Sequence, residues 1–114
     1  MTHTNTIRDL YQVLSNLKYH HLNTTIYADH IALGDAYSTL DTLADTISEA
    51  LIGKYGAISP FTIKMGSSTS VNLPKDLDDL ANSVREYKDC PDLLNIADEI
   101  TAIASKLRYL QRLS

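Results

Sequence analysis

The chain has no tryptophan, a single phenylalanine and a single cysteine, Cys90, among its 114 residues. One cysteine forms no intramolecular disulfide and cannot supply the thiolate set of a structural zinc site, so a stapled scaffold is excluded and a reducing compartment fits. Cys90 stands beside Pro91 without a CxxC partner, which reads as a structural thiol rather than a nucleophile. No apolar run approaches the roughly 20 residues of a spanning helix, and the opening Met-Thr-His-Thr-Asn-Thr carries neither the basic nor the apolar part of a signal sequence. The expectation is a cytoplasmic protein with no membrane partner.

Excess positive charge is also missing. Ten Lys and Arg stand against fourteen Asp and Glu, a formal net charge of -4. The basic residues are scattered, and no arginine stripe offers the counterion-releasing surface that nucleic-acid binding requires, so no nucleic-acid partner is expected. Lys106, Arg108 and Arg112 gather near the C-terminus, where cations complement a helix dipole. No Ser-His-Asp arrangement, phosphate-cradling glycine loop or Cys/His zinc spacing is present, which leaves hydrolases and nucleotide-hydrolysing enzymes without support.

What is present is enough apolar residue for one core, 44% hydrophobic with 21% charged, in a length that suits a single domain over 1–114. Ile7, Leu10, Tyr11, Leu14 and Leu17 recur at helical steps, predicting a first helix over about 5–22, with Asn23-Thr24-Thr25 as a polar break. Leu33, Tyr37, Leu40, Ala44, Ile47 and Leu51 alternate steps of four and three, the seam of a long second helix over about 26–54, with Gly53 and Gly56 as terminators. From Tyr55 to Leu73 the composition favours a connection: Gly56, Pro60 and Gly66 precede the run Ser67-Ser68-Thr69-Ser70, and Phe61 to Met65 suits a short turn or extended piece over the bundle end. Pro74 opens a third helix over about 74–90, on Leu77, Leu80, Ala81, Val84 and Tyr87. A fourth over about 92–113 follows, capped by Asp92 and buried along Ile96, Ala97, Ile100, Ala104, Leu107 and Leu110. The expected fold is all-α, a four-helix bundle with a long crossover between helices two and three.

The chemistry-bearing residues concentrate in one stretch, His20-His21 through His30 to Asp41, Asp45 and Glu49. At 100° per residue, His30 lies roughly 40° from the seam position Ala44, Asp41 roughly 60°, Asp45 roughly 100° and Glu49 roughly 140°. They form a slanting row whose end points out of the bundle, so one chain does not converge them on a single ion. Imidazole nitrogen with carboxylate oxygen suits iron, manganese or zinc. Two readings stand at this point: a metal site completed by another subunit, or a solvated helix face.

The run from Tyr19-His20 through Ala28-Asp29-His30, and on through Tyr37-Ser-Thr-Leu-Asp41-Thr-Leu-Ala-Asp45-Thr-Ile-Ser-Glu49, resembles the first two helices of Dps-type ferritin-like proteins. His30 to Asp45 keeps that family's interval, Asp45 and Glu49 keep its Asp-x-x-x-Glu pair, and Asp41 matches a further acid. The resemblance implies a ferritin-like four-helix bundle and a homo-oligomer built on a dimer. It also implies a ferroxidase site in which histidines of one subunit (His30 with His20 or His21) meet Asp45 and Glu49 of the other, with Asp41 accessory. Iron or another divalent metal is then the expected ligand. The chain departs from the pattern in a shorter interval between its histidines, in Gly34 where the family carries an aspartate, and in lacking a basic N-terminal tail. Abbreviated forms of this kind also resemble ferritin-like proteins of bacteriophages. In that setting the alternative is a non-enzymatic helical oligomer that binds or sequesters a host protein or a small-molecule ligand.

Overall fold

The structure, a computed structural model, describes residues 2–66 and 72–113. Four helices account for most of them, α1 (His3–Asn23), α2 (Tyr27–Tyr55), α3 (Leu73–Arg85) and α4 (Pro91–Gln111), and no strand occurs among the described residues. α1 starts earlier than its apolar pattern because Thr2 caps it, accepting a hydrogen bond from the Asn5 amide at 3.3 Å. α1 ends at the Thr24 cap, and Thr24 Oγ1 accepts from the Ile26 amide at 3.2 Å. This tight link returns α2 antiparallel to α1. α2 runs through Gly53 without a break and stops at Gly56, whose φ of 96° needs a residue without a Cβ.

The connection between α2 and α3 climbs the side of α1 rather than lying over the bundle end. At its start the His3 ring bonds Gly56 O at 2.8 Å and the Ser59 amide donates to Thr4 Oγ1 at 3.2 Å. Midway, Gln12 pairs with Lys64 through two backbone bonds, accepting from its amide at 3.0 Å and donating to its carbonyl at 2.8 Å. At the top Gly66, with φ 72°, lies so close to Tyr19 that an added Cβ would stand 2.6 Å from its ring. The serine- and threonine-rich run 67–70 lies outside the described residues. α3 therefore begins beside the C-terminal end of α1 and runs parallel to α2, so the connection is a crossover. Asn72 caps α3 through the Lys75 amide at 3.1 Å, with Pro74 in its first turn.

α3 closes at Arg85, five residues short of the expected end. Tyr87 continues the apolar spacing but leaves the helix to reach the base of α1, where its hydroxyl and Thr6 Oγ1 share a hydrogen bond of 2.6 Å. α4 starts at Pro91 with Cys90 in the cap position; Asp92 is not the cap but an acid in the first turn, where it favours the helix dipole.

α1 packs on α2 and α3, and α4 packs on the same two helices, so that α1 and α4, and α2 and α3, stand diagonally across the bundle. Leu10, Leu17, Leu40, Ile47, Leu51, Leu77, Leu93 and Ile100 meet in one core, each fully buried. Burying side chains of this size removes about 1.5–3 kcal/mol each of unfavourable hydration. No helix among the described residues is long and apolar enough to cross a membrane.

Candidate metal site at the first helix corner

His21 occupies the last turn of α1 and His30 the first turn of α2, on either side of the short Thr24–Ile26 link. His21 Nδ1 lies 2.7 Å from His30 O, and His30 Nδ1 lies 2.8 Å from His21 O. A carbonyl oxygen only accepts, so each Nδ1 must carry the proton and donate. In the neutral imidazole this leaves the lone pair on Nε2. The two rings stack at a centroid distance of 4.0 Å with planes 19° apart. Both residues are half-buried, and neither Nε2 is among the side-chain atoms sealed from solvent without a partner. The corner therefore presents two imidazoles whose orientation is held by the backbone and whose second nitrogens remain open.

Gly34 makes this packing possible. A Cβ built on it would stand 2.8 Å from His21 Cε1 and 3.0 Å from His21 Nδ1. One turn past His30, the missing side chain lets the His21 ring lie against the backbone of α2. Glycine in a helix interior costs about 1 kcal/mol relative to alanine, and at position 34 the space it leaves is filled. Tyr27 borders the other side, its ring 6.5 Å from that of His30.

His20 goes elsewhere. Its ring meets the edge of Tyr19 at 5.1 Å, and its Nε2 is buried without a hydrogen-bond partner among the described residues. It faces a hollow of about 270 Å³ at the bundle end, beside Asn23, Leu33 and Leu73. Of the two histidines that close α1, the structure brings His21 to His30 and holds His20 apart.

Asp41, Asp45 and Glu49 lie exposed along α2 and form no ion pair among the described residues. Fifteen residues separate His30 from Asp45, about 22 Å of helix, which no shared coordination shell spans. Accordingly, no group of three or more His, Cys, Asp or Glu residues gathers to hold a metal within the chain, among the described residues.

The reciprocal histidine bonds and the role of Gly34 are not marked by any motif. An interior glycine in an otherwise strong helix was the signal available, since such a position often has a packing reason.

The structure is an all-helical bundle with two histidines paired at its first corner. A family model described as a family of unknown function (DUF5856) matches residues 21–110, and the chain belongs to that family. The matched span begins at His21 and includes Gly34, His30 and the three exposed acids. Neither a curated protein nor a solved structure matches the chain.

Proposed function

We propose that this protein is a ferritin-like, Dps-like bundle that binds divalent transition metal ions at the His21–His30 corner, one on each imidazole, with Asp45 and Glu49 of a second copy completing the coordination and Asp41 accessory to it. The observation that carries the reading is the pair of Nδ1–H···O=C anchors. Histidines that bind metals generally donate the other ring nitrogen to a carbonyl or carboxylate, which fixes the tautomer and aims Nε2 at the ion.

The residues fit a metal in kind. Imidazole nitrogen and carboxylate oxygen together suit iron, manganese or zinc. The stacking adds a constraint, because in-plane lone pairs on two nearly parallel rings do not meet at a point about 2.0–2.1 Å from both nitrogens. Each imidazole thus serves an ion of its own, and carboxylates must complete each shell. Asp45 and Glu49, one helical turn apart on the exposed side of α2, are free to do this for a neighbouring copy. Ferrous iron would be the substrate of such a site, and its oxidation is the activity that the ferritin-like reading carries.

Metal-free protein titrated anaerobically with ferrous iron, and separately with zinc, should bind at a fixed ratio. His21→Ala with His30→Ala should weaken binding at least about 100-fold, since both nitrogen donors are lost. Asp45→Asn with Glu49→Gln should weaken it while leaving the helical content unchanged. Metal uptake no greater than background, or uptake unaffected by the histidine substitutions, would overturn the reading.

A further inference from the structure

The sides of the bundle are finished differently. The crossover covers α1, and the outer faces of α3 and α4 carry the ion pairs Lys75–Asp79, Arg85–Asp98 and Arg108–Asp78. Between α2 and α4 lies an open hollow of about 300 Å³. It exists because Ala32, Ala36 and Ala102 are too short to fill the space between the helices, and its apolar lining includes Ile103 and Leu110. Three charged residues rim it, Asp35, Glu99 and Lys106. None of them takes part in an ion pair among the described residues.

We propose that this α2–α4 face is the docking surface for a second copy of the chain, packed with its α4 antiparallel to the first. The charges select the occupant and its direction. Glu99 and Lys106 are seven residues apart, about 10 Å of helix and close to two turns, so they share one side of α4. A two-fold axis passing between Ala102 and Ile103 sets Glu99 of each copy opposite Lys106 of the other, making two complementary pairs at once. Parallel packing would instead oppose Glu99 to Glu99 and Lys106 to Lys106, and like charges so placed disfavour it. At the axis the short Ala102 lets the helices approach, and the apolar lining of each hollow is covered by that of its partner. This contact is separate from the proposed metal site, since it uses the side of α2 turned toward α4 whereas His30 is turned toward α1.

The test is sedimentation equilibrium of the full chain in EDTA, so that metal-driven association is absent, with helicity checked for each variant. The wild type should dimerise at micromolar concentration. Glu99→Lys and Lys106→Glu should each weaken the dimer by about tenfold or more, because either reversal turns both pairs into like-charge contacts. The double variant Glu99→Lys with Lys106→Glu restores opposite charges across the axis and should recover the dimer. Ala102→Cys should cross-link two copies on oxidation, with Cys90 buried and out of reach. A wild type that stays monomeric at high micromolar concentration would overturn the proposal. So would single reversals that leave the dimer intact, or a double variant as weak as the singles. A monomer whose hollow takes up a synthetic basic amphipathic peptide would overturn it too, assigning the face to another partner.

Discussion

The two ends of the bundle handle their polar groups in opposite ways. At the end where α1 starts, Thr6 shares a hydrogen bond with Tyr87 at 2.6 Å, the Ser59 amide donates to Thr4 Oγ1 at 3.2 Å, and the Tyr55 hydroxyl donates to Asp89 at 2.9 Å. Those groups find their partners within the chain, and together they fasten the crossover and the α3–α4 turn to the base of α1 and α2. At the other end the His21–His30 pair satisfies one nitrogen of each ring and leaves the second open. The difference separates a network whose hydrogen bonds close within the chain from a corner whose second ring nitrogens take no hydrogen bond among the described residues, and the proposed metal binding rests on that corner.

The contrast can be broken from either side. The largest effect, after loss of the histidines themselves, is expected at Gly34. Gly34→Val forces a branched side chain into the His21 ring and should lower metal affinity by about 10–100-fold, as loss of an orienting contact does elsewhere; calorimetric titration with zinc checks it. The same substitution should cost about 1–3 kcal/mol of stability by overpacking. Affinity unchanged in a folded Gly34→Val protein would mean that the ring orientation is irrelevant to binding.

At the structural end, Thr6→Val keeps the buried shape and removes the bond to Tyr87. The expected loss is about 1 kcal/mol, a fall in Tm of several degrees for a chain of this size, with metal affinity unaltered. An equal loss of metal binding would show that the two ends are not independent.

The smallest expected effect is a pH dependence. Burial and the hydrogen bond to Asp89 push the Tyr55 hydroxyl up to about 12. A group raised in the folded state favours folding while it is protonated, so this contribution is complete below the ordinary tyrosine value near 10 and is lost as pH rises from there toward 12. Denaturant unfolding of the wild type across that window should show a steeper decline than that of Tyr55→Phe. Parallel curves for the two proteins would remove Tyr55–Asp89 from the account.

Much of the architecture was legible because it rests on periodicity. Leu33, Leu40, Ala44, Ile47 and Leu51 announce the buried face of α2, and all are buried. The crossover followed from the glycine- and proline-marked interval between two strong helical patterns. The early end of α3 was not legible, since Tyr87 keeps the apolar spacing after Val84 and only its contact with Thr6 shows that the chain has already turned. The candidate residues were legible in composition, but their arrangement was not. His21 and His30 stand nine residues apart across a link, and which ring meets which depends on a side chain that Gly34 does not have. Read as a lost carboxylate, Gly34 counts against a metal site; seen in place, it is the space that seats His21. The proposed complementarity of Glu99 and Lys106 was hidden for a different reason, because neither residue takes part in an ion pair among the described residues.

The corner holds two imidazoles by Nδ1, and it is proposed to offer each Nε2 to a metal. Long-range proton–nitrogen NMR of the histidine side chains tests it most directly, in metal-free protein at neutral pH and again with zinc as a diamagnetic ion. The expected result is the Nδ1–H tautomer at both His21 and His30, with the Nε2 resonance of each moving on zinc addition while His20 stays unchanged. The Nε2–H tautomer at either residue, or Nε2 resonances that do not respond to saturating zinc, would contradict it.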